Sequence, residues 1–196
     1  MKKQIQKKNV KKKVSIIIGG SGGQGILTAG MLIALSAIKQ KLEVSCFPSY
    51  SAAMRGGYVY CTIVICSEQE IFSPISSEID IGIFMNDESY KMLVSYLKEN
   101  AFILINSSLI KNCQNKRFRI YEIPATEIAE QLGDIKNANL ILAGALGNII
   151  NKNFLKFSIS SLYTAVLETM SEIEQSKKVI EAGWELIGND RCQRGD

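Results

Sequence analysis

"VSIIIGGSGGQGILTAG", residues 14–30, decides the fold of this chain. Val14–Ile18 is a short β-branched apolar run, the signature of a strand buried on both faces. Five glycines then fall within seven residues, and helix-forming sequence follows from Ile26 to Gln40. Strand, glycine turn and helix in that order open a βαβ unit, so the first element pair points to an α/β sheet protein. Gly20-Ser21-Gly22-Gly23-Gln24-Gly25 satisfies GxGxxG in the context that a dinucleotide fingerprint requires. The fingerprint also needs an acid at the end of the second strand to hold a ribose. That strand, Leu42–Phe47, runs into "SCFPS", with Glu43 at its beginning. The NAD reading fails there. No Lys-Ser/Thr follows the loop, which excludes a phosphate-binding loop of the NTPase type. Two readings stay open for the glycines: backbone N–H groups at Gly23 to Ile26 facing a phosphate, or close packing of helix on sheet.

Outward from this unit, the pattern continues as α/β. A loop of small residues, "PSYSAAMRGG" (48–57), leaves the carboxyl end of strand two, the side on which open α/β sheets bind ligands. Tyr58–Cys66 alternates as a half-buried strand, Ser67–Glu70 turns, and Ile71–Ser73 returns as a hairpin arm. Ile79–Met85 is a further apolar strand. Asp87 is placed to cap the helix "DESYKMLVSYLKEN", with Tyr90, Leu93, Val94 and Leu97 on one face. Ala101–Asn106 and Arg117–Ile123 are strands, and Asn106-Ser107-Ser108 reads as a turn and helix start. Thr126 caps a short helix through Leu132. Asn137–Ile150, "NANLILAGALGNII", is apolar throughout, and Gly144 and Gly147 invite a close helix neighbour. Helices over 158–170 and 171–187 finish the fold, the last anchored by Trp184. The expected architecture is a three-layer α/β/α domain, Rossmann-like, with a mixed, mostly parallel sheet over residues 14–188. It is flanked by a basic tail (1–13) and a short C-terminal segment (189–196).

Composition narrows the function. A chain of 196 residues, 46% hydrophobic, supports one core and not two. No apolar run is long enough to span a bilayer, and the basic N-terminus has no apolar signal region, so a soluble cytoplasmic protein is expected. The formal charge of +4 is set by seven lysines in the first thirteen residues. The remainder carries 16 basic against 19 acidic groups, so nucleic-acid binding by a basic face is not expected. The lysine tail reads as a solvated arm, with an acidic partner subunit or RNA as the alternative. Histidine is absent. Cys46, Cys61, Cys66, Cys113 and Cys192 form no CxxC pair, so neither a zinc site nor a cysteine-held cluster is encoded. No carboxylate dyad or nucleophile–base pair can be assembled. The chain offers binding groups without catalytic machinery. Chief among them are the glycine loop and a second cluster, Ser49, Tyr50, Ser51 and Arg55-Gly56-Gly57. The Arg55 guanidinium between small residues suits a phosphate or carboxylate, against the alternative of pairing with a buried acid. Tyr58 and Tyr60 read as sheet-face packing.

Taken in order, "GGSGGQGILTAGMLIALSA", "FPSYSAAMRGGYVYCTIVI", "INSSLI", "IPATEIAEQLG" and "NANLILAGALG" resemble the gamma subunit of 2-oxoacid:ferredoxin oxidoreductases over residues 14–183. "PSY" before "MRGG", together with "INSSLI", favours the 2-oxoglutarate branch over the indolepyruvate beta subunit of the same superfamily. The resemblance implies an enzyme that decarboxylates a 2-oxo acid on thiamine pyrophosphate, passes electrons through iron–sulfur clusters to ferredoxin, and releases an acyl-CoA. It places thiamine between alpha and beta subunits and the clusters on beta or a small delta subunit. The gamma subunit carries neither and helps to close the site around coenzyme A, so the isolated chain is expected to be inactive. Gly22, Gly23, Gln24 and Gly25 match the family's glycine loop, and Gly20 precedes them. Ser49, Tyr50, Arg55, Gly56 and Gly57 match its second loop. The family carries glycine and often glutamate where Ser51 and Ala53 stand here. The competing readings are a scaffold that touches no ligand and a stand-alone nucleotide-binding protein. In isolation, the apolar helices suggest a homodimer.

Overall fold

A computed structural model describes residues 13–50, 57–68, 71, 73, 78–111, 113 and 115–188. Six strands form one mixed sheet in the order β2-β3-β1-β4-β5-β6. β1 (Lys13–Ser21), β4 (Ile79–Phe84), β5 (Leu97–Asn106) and β6 (Arg119–Ile123) run parallel. β3 (Tyr58–Cys66) lies antiparallel between β1 and β2 (Glu43–Tyr50). β2 therefore runs in the same direction as β1, and the ends of β1, β2, β4, β5 and β6 share one edge.

Strand alternation divides the core. Ile16 and Ile18 face a large cluster under α1 (Ile26–Lys39), α3 (Ala125–Gln131), α4 (Ala138–Asn153), α5 (Ile159–Thr169) and α6 (Ile173–Gly188). Ile17 faces a smaller cluster with Phe84, Leu93, Ile103 and Ile105, covered by α2 (Asp87–Leu93). The three-layer α/β architecture with a mixed sheet is as the sequence indicates. α4 is the central helix, buried from Ala138 to Ile150. Its Gly144 and Gly147 do accept a close neighbour. A Cβ on Gly144 would run into the Ile180 carbonyl of α6, and the Trp184 ring stands beside Gly147.

Several local expectations need correction. The hairpin partner of β3 is β2; Ile71 and Ser73 belong to no strand. β2 continues through Pro48 to Tyr50, so Ser49 and Tyr50 are strand residues. A proline is tolerated there because β2 is an edge strand. The cap of α2 is Asn86, whose side chain accepts from Ser89 N–H, and not Asp87. That helix stops at Leu93. A 3-10 turn over Val94–Tyr96 leads the chain into β5, placing Leu97 opposite Ile79, and the left-handed Asn100 (φ 58°) lies inside β5 where the register with β4 shifts before Phe102. Thr126 does not cap α3, which starts after Pro124; its hydroxyl instead accepts from the buried Asn106 amide at 2.8 Å. Asn106–Ser108 is a turn with no helix behind it. On the outer side of α1, Met31 and Ile38 lie exposed. No helix among the described residues is long and apolar enough to cross a membrane.

Candidate functional site

The glycine turn stands where β1 leaves the carboxyl edge of the sheet. Its residues divide by what surrounds them. A Cβ on Gly20 would strike Ile26, the Gln24 side chain and Met85, and one on Gly25 would strike the Asn139 amide. These two glycines serve packing. Gly22 and Gly23 are exposed, and a Cβ on either would meet almost nothing: the Gly57 carbonyl at 3.9 Å for Gly22, and no atom within 4 Å for Gly23. Gly23 (φ 89°) and Gly25 (φ 70°) hold left-handed backbone, which a side chain would strain. The sequence left packing and ligand approach as alternatives for the loop as a whole. The structure separates the residues: packing at Gly20 and Gly25, open space at Gly22 and Gly23.

Gln24 turns inward. Its Oε1 accepts from the Ser21 N–H at 2.7 Å and from the Asn86 amide at 2.9 Å. The same Asn86 amide donates to Ser21 Oγ at 2.8 Å. Gln24 thus closes the loop on itself and on the end of β4. Asn139 on α4, itself buried, donates to the Gly25 carbonyl at 3.1 Å and fixes the point where α1 begins.

Helix α1 starts with no side-chain cap and no acid in its first turn. Residues 19–30 contain no charged group. Within the turn itself nothing charged offsets the first-turn N–H groups of α1, which carry partial positive charge. An anionic oxygen is the group such an end accommodates most readily.

The second cluster reaches the same edge. The Gly22 N–H donates to the Gly57 carbonyl at 3.2 Å, joining the two glycine-bearing loops. Ser21 pairs in register with Tyr58, and Tyr50 with Val59, so Ser49 and Tyr50 end β2 two strands away from the turn. Tyr50 is exposed. Arg55 and Gly56 lie outside the described residues. Tyr58 and Tyr60 stack at a centroid distance of 6.3 Å on one face of β3, with Tyr60 packed on the smaller core cluster. Asn86 and Asn139 are the two site residues that sequence reasoning missed. Asn86 is signalled by a polar residue directly behind an apolar strand, and Asn139 by an asparagine inside an apolar helix. No group of three or more His, Cys, Asp or Glu able to hold a metal occurs among the described residues.

These features define a class: a three-layer α/β domain with an uncapped helix start, walled by glycine, at the carboxyl edge of a mixed sheet. The chain belongs to the pyruvate ferredoxin/flavodoxin oxidoreductase family, whose profile matches residues 15–187. Among curated proteins it is 28% identical over 135 residues to the ketoisovalerate oxidoreductase subunit VorA of Methanothermobacter marburgensis, covering 69% of this chain. It spans only 28% of that relative's own length. It is 28% identical over 182 residues to the 2-oxoglutarate synthase subunit KorC of Methanocaldococcus jannaschii, covering 90% of this chain and 94% of the relative. Solved structures share the fold, among them two oxidoreductase structures. The gamma subunit of a keto/oxoacid ferredoxin oxidoreductase from Geobacter sulfurreducens superposes with a TM-score of 0.75 at 23% identity, covering 88% of this chain and 96% of that one. The 2-oxoglutarate:ferredoxin oxidoreductase from Magnetococcus marinus, solved with 2-oxoglutarate, coenzyme A and succinyl-CoA bound, gives 0.79 at 20% identity, covering 91% of this chain and 32% of that one.

Proposed function

We propose that the chain is the gamma subunit of a multi-subunit 2-oxoacid:ferredoxin oxidoreductase, with 2-oxoglutarate as its oxo acid, and that residues 14–188 form one gamma-type domain. Alpha, beta and, where present, delta subunits would be its partners. In this reading, thiamine pyrophosphate and iron–sulfur clusters sit on those subunits and supply the decarboxylation and electron transfer. This chain contributes an edge. Gly22 and Gly23 leave room for a ligand to approach the backbone, and the start of α1 offers N–H donors to the phosphates of coenzyme A. Gln24, Asn86 and Asn139 hold that edge in shape. Arg55, from the loop that ends at Gly57, would supply the guanidinium, and Ser49 and Tyr50 would flank it.

The observation that carries this reading is the uncapped start of α1 beside two glycines with open space in front of them. That opening favours a ligand contact over a scaffold that touches none. The choice of 2-oxoglutarate rests on the loop sequences "PSY" and "INSSLI". The likeness to KorC supports it and the likeness to VorA does not. Anaerobic affinity purification of the chain from its own cell tests the assignment. Recovery of a thiamine-dependent pair and an iron–sulfur protein supports it, and a chain that emerges alone sinks it. Viologen reduction with a panel of 2-oxo acids then fixes the substrate. Titration of the complex with coenzyme A tells an edge that binds from a scaffold that does not.

A further inference from the structure

Away from the glycine edge, two thiols face each other across the β2–β3 hairpin. Cys46 Sγ and Cys61 Sγ are 3.4 Å apart. The register pairs Cys46 with Ile63 and Pro48 with Cys61, so the two cysteines are diagonal neighbours on the face turned toward α1. Their surroundings differ sharply. Cys46 lies on the edge strand and is exposed, whereas Cys61 is 1% exposed on the strand inside it. Gly30 of α1 makes room for the inner sulfur, because a Cβ there would stand 2.9 Å from Cys61 Sγ.

We propose that Cys46 and Cys61 form a peroxide-reactive modification site, in which Cys46 is oxidised first and Cys61 then closes a disulfide across the hairpin. The asymmetry assigns the roles. A peroxide arriving from solvent meets Cys46, and the buried Cys61 is the thiol in line to resolve the product. The Cys46 thiolate attacks one peroxide oxygen and the O–O bond breaks, giving a sulfenic acid and a hydroxide that is protonated to water. Cys61 gives up its proton and attacks the Cys46 sulfur. The S–S bond forms, the S–O bond breaks, and the hydroxyl leaves with that proton as a second water. The two sulfurs lose two electrons and the peroxide gains them. The sulfurs must close by about 1.4 Å to reach bonding distance, and because diagonal neighbours stand about 7–8 Å apart, closure takes a shift of the edge strand β2 together with side-chain rotation. The Cys61 thiol, by hydrogen bonding to Cys46, also draws the Cys46 pKa down to about 7, against the opposing effect of burial. Cys46 is thus partly thiolate at neutral pH, the form that reacts. This site stands independently of any role in binding coenzyme A.

The test treats the full chain, purified anaerobically, with one equivalent of hydrogen peroxide, then blocks remaining thiols and maps the peptides. The expected result is a mass lower by about two hydrogens, located to a Cys46–Cys61 linked peptide and reversed by dithiothreitol. In Cys61→Ser, dimedone should trap a sulfenic acid on Cys46; in Cys46→Ser, the cross-link should vanish. Wild-type protein in which both cysteines remain alkylatable after peroxide overturns the proposal. So does a cross-link that forms between other cysteines. Because Cys61 lies in the core, the wild-type peptide map decides the matter even if Cys61→Ser fails to fold.

Discussion

Asn86 holds Gln24 in place: its side-chain amide donates to Gln24 Oε1 at 2.9 Å, while its own Oδ1 accepts from the Ser89 N–H and starts α2. One residue therefore both shapes the glycine turn and caps a helix on the opposite layer. Asn86→Ala should cost about 1–3 kcal/mol, the loss of a cap plus a bridging amide. Asn86→Ser keeps the cap and loses the bridge, so it should lie between Ala and wild type in urea unfolding. Equal stability of the Ser variant and wild type would mean that the bridge contributes nothing.

Gly144 and Gly183 form a reciprocal crossing of α4 and α6. A Cβ on Gly144 would enter the Ile180 carbonyl, and one on Gly183 would enter the Ile141 carbonyl. Backbone cannot step aside as a side-chain tip can. Gly144→Ala and Gly183→Ala should each destabilise by about 3 kcal/mol or more. Both separate the same helices, so the double variant should cost clearly less than the sum.

The glycine turn offers an internal contrast. Gly22→Ala has free space and should remain within about 1 kcal/mol of wild type, whereas Gly25→Ala meets Asn139 and should cost more than about 2 kcal/mol. A Cβ on Gly23 meets nothing within 4 Å, so Gly23→Val should not push against α1, but φ 89° strains any side chain and should cost about 1–3 kcal/mol of stability on its own. Its effect should appear as a raised KM for coenzyme A in the assembled enzyme. A Gly23→Val complex with normal KM would remove this edge from the coenzyme A site.

Arg55→Ala should raise the KM for coenzyme A about tenfold, the loss of one charge-assisted hydrogen bond of roughly 1.5–3 kcal/mol. Thiamine content should be unaffected. Loss of assembly with KM unchanged would place Arg55 at a subunit boundary instead.

Cys46 should be alkylated by iodoacetamide faster than an ordinary exposed thiol at pH 7. Its pKa is lowered to about 7, so the reactive thiolate accumulates as pH rises through that value, and the rate should climb and level off above it. Peptide-resolved labelling between pH 6 and 9 reads this directly. Cys61→Ser, with a serine hydroxyl in place of the thiol donor, should shift the midpoint.

Much of the fold was legible because β1, β4 and the second half of β5 are apolar runs and the first βαβ unit is punctuated by glycine. What escaped were elements whose neighbours, and not their own residues, set the structure. Pro48 reads locally as the end of a strand, yet β2 is an edge strand and tolerates it. Tyr90, Leu93, Val94 and Leu97 have helical spacing, but the sheet claims Leu97 as the partner of Ile79, and the helix ends early. At the site, the glycines were visible and the residues that hold them were not. Asn86 and Asn139 are 53 positions apart in sequence, and only the fold brings both to one turn.

The burial of α4 also sets an order of assembly on the ribosome. Its thirteen consecutive buried residues, Ala138–Ile150, are covered in part by α6, which closes the described chain. A nascent chain that ends before Ile173 carries the sheet and the central helix but leaves an apolar flank bare. The core is therefore completed only after synthesis has passed α6. Until then the growing chain presents a surface that chaperones bind and that premature termination would expose.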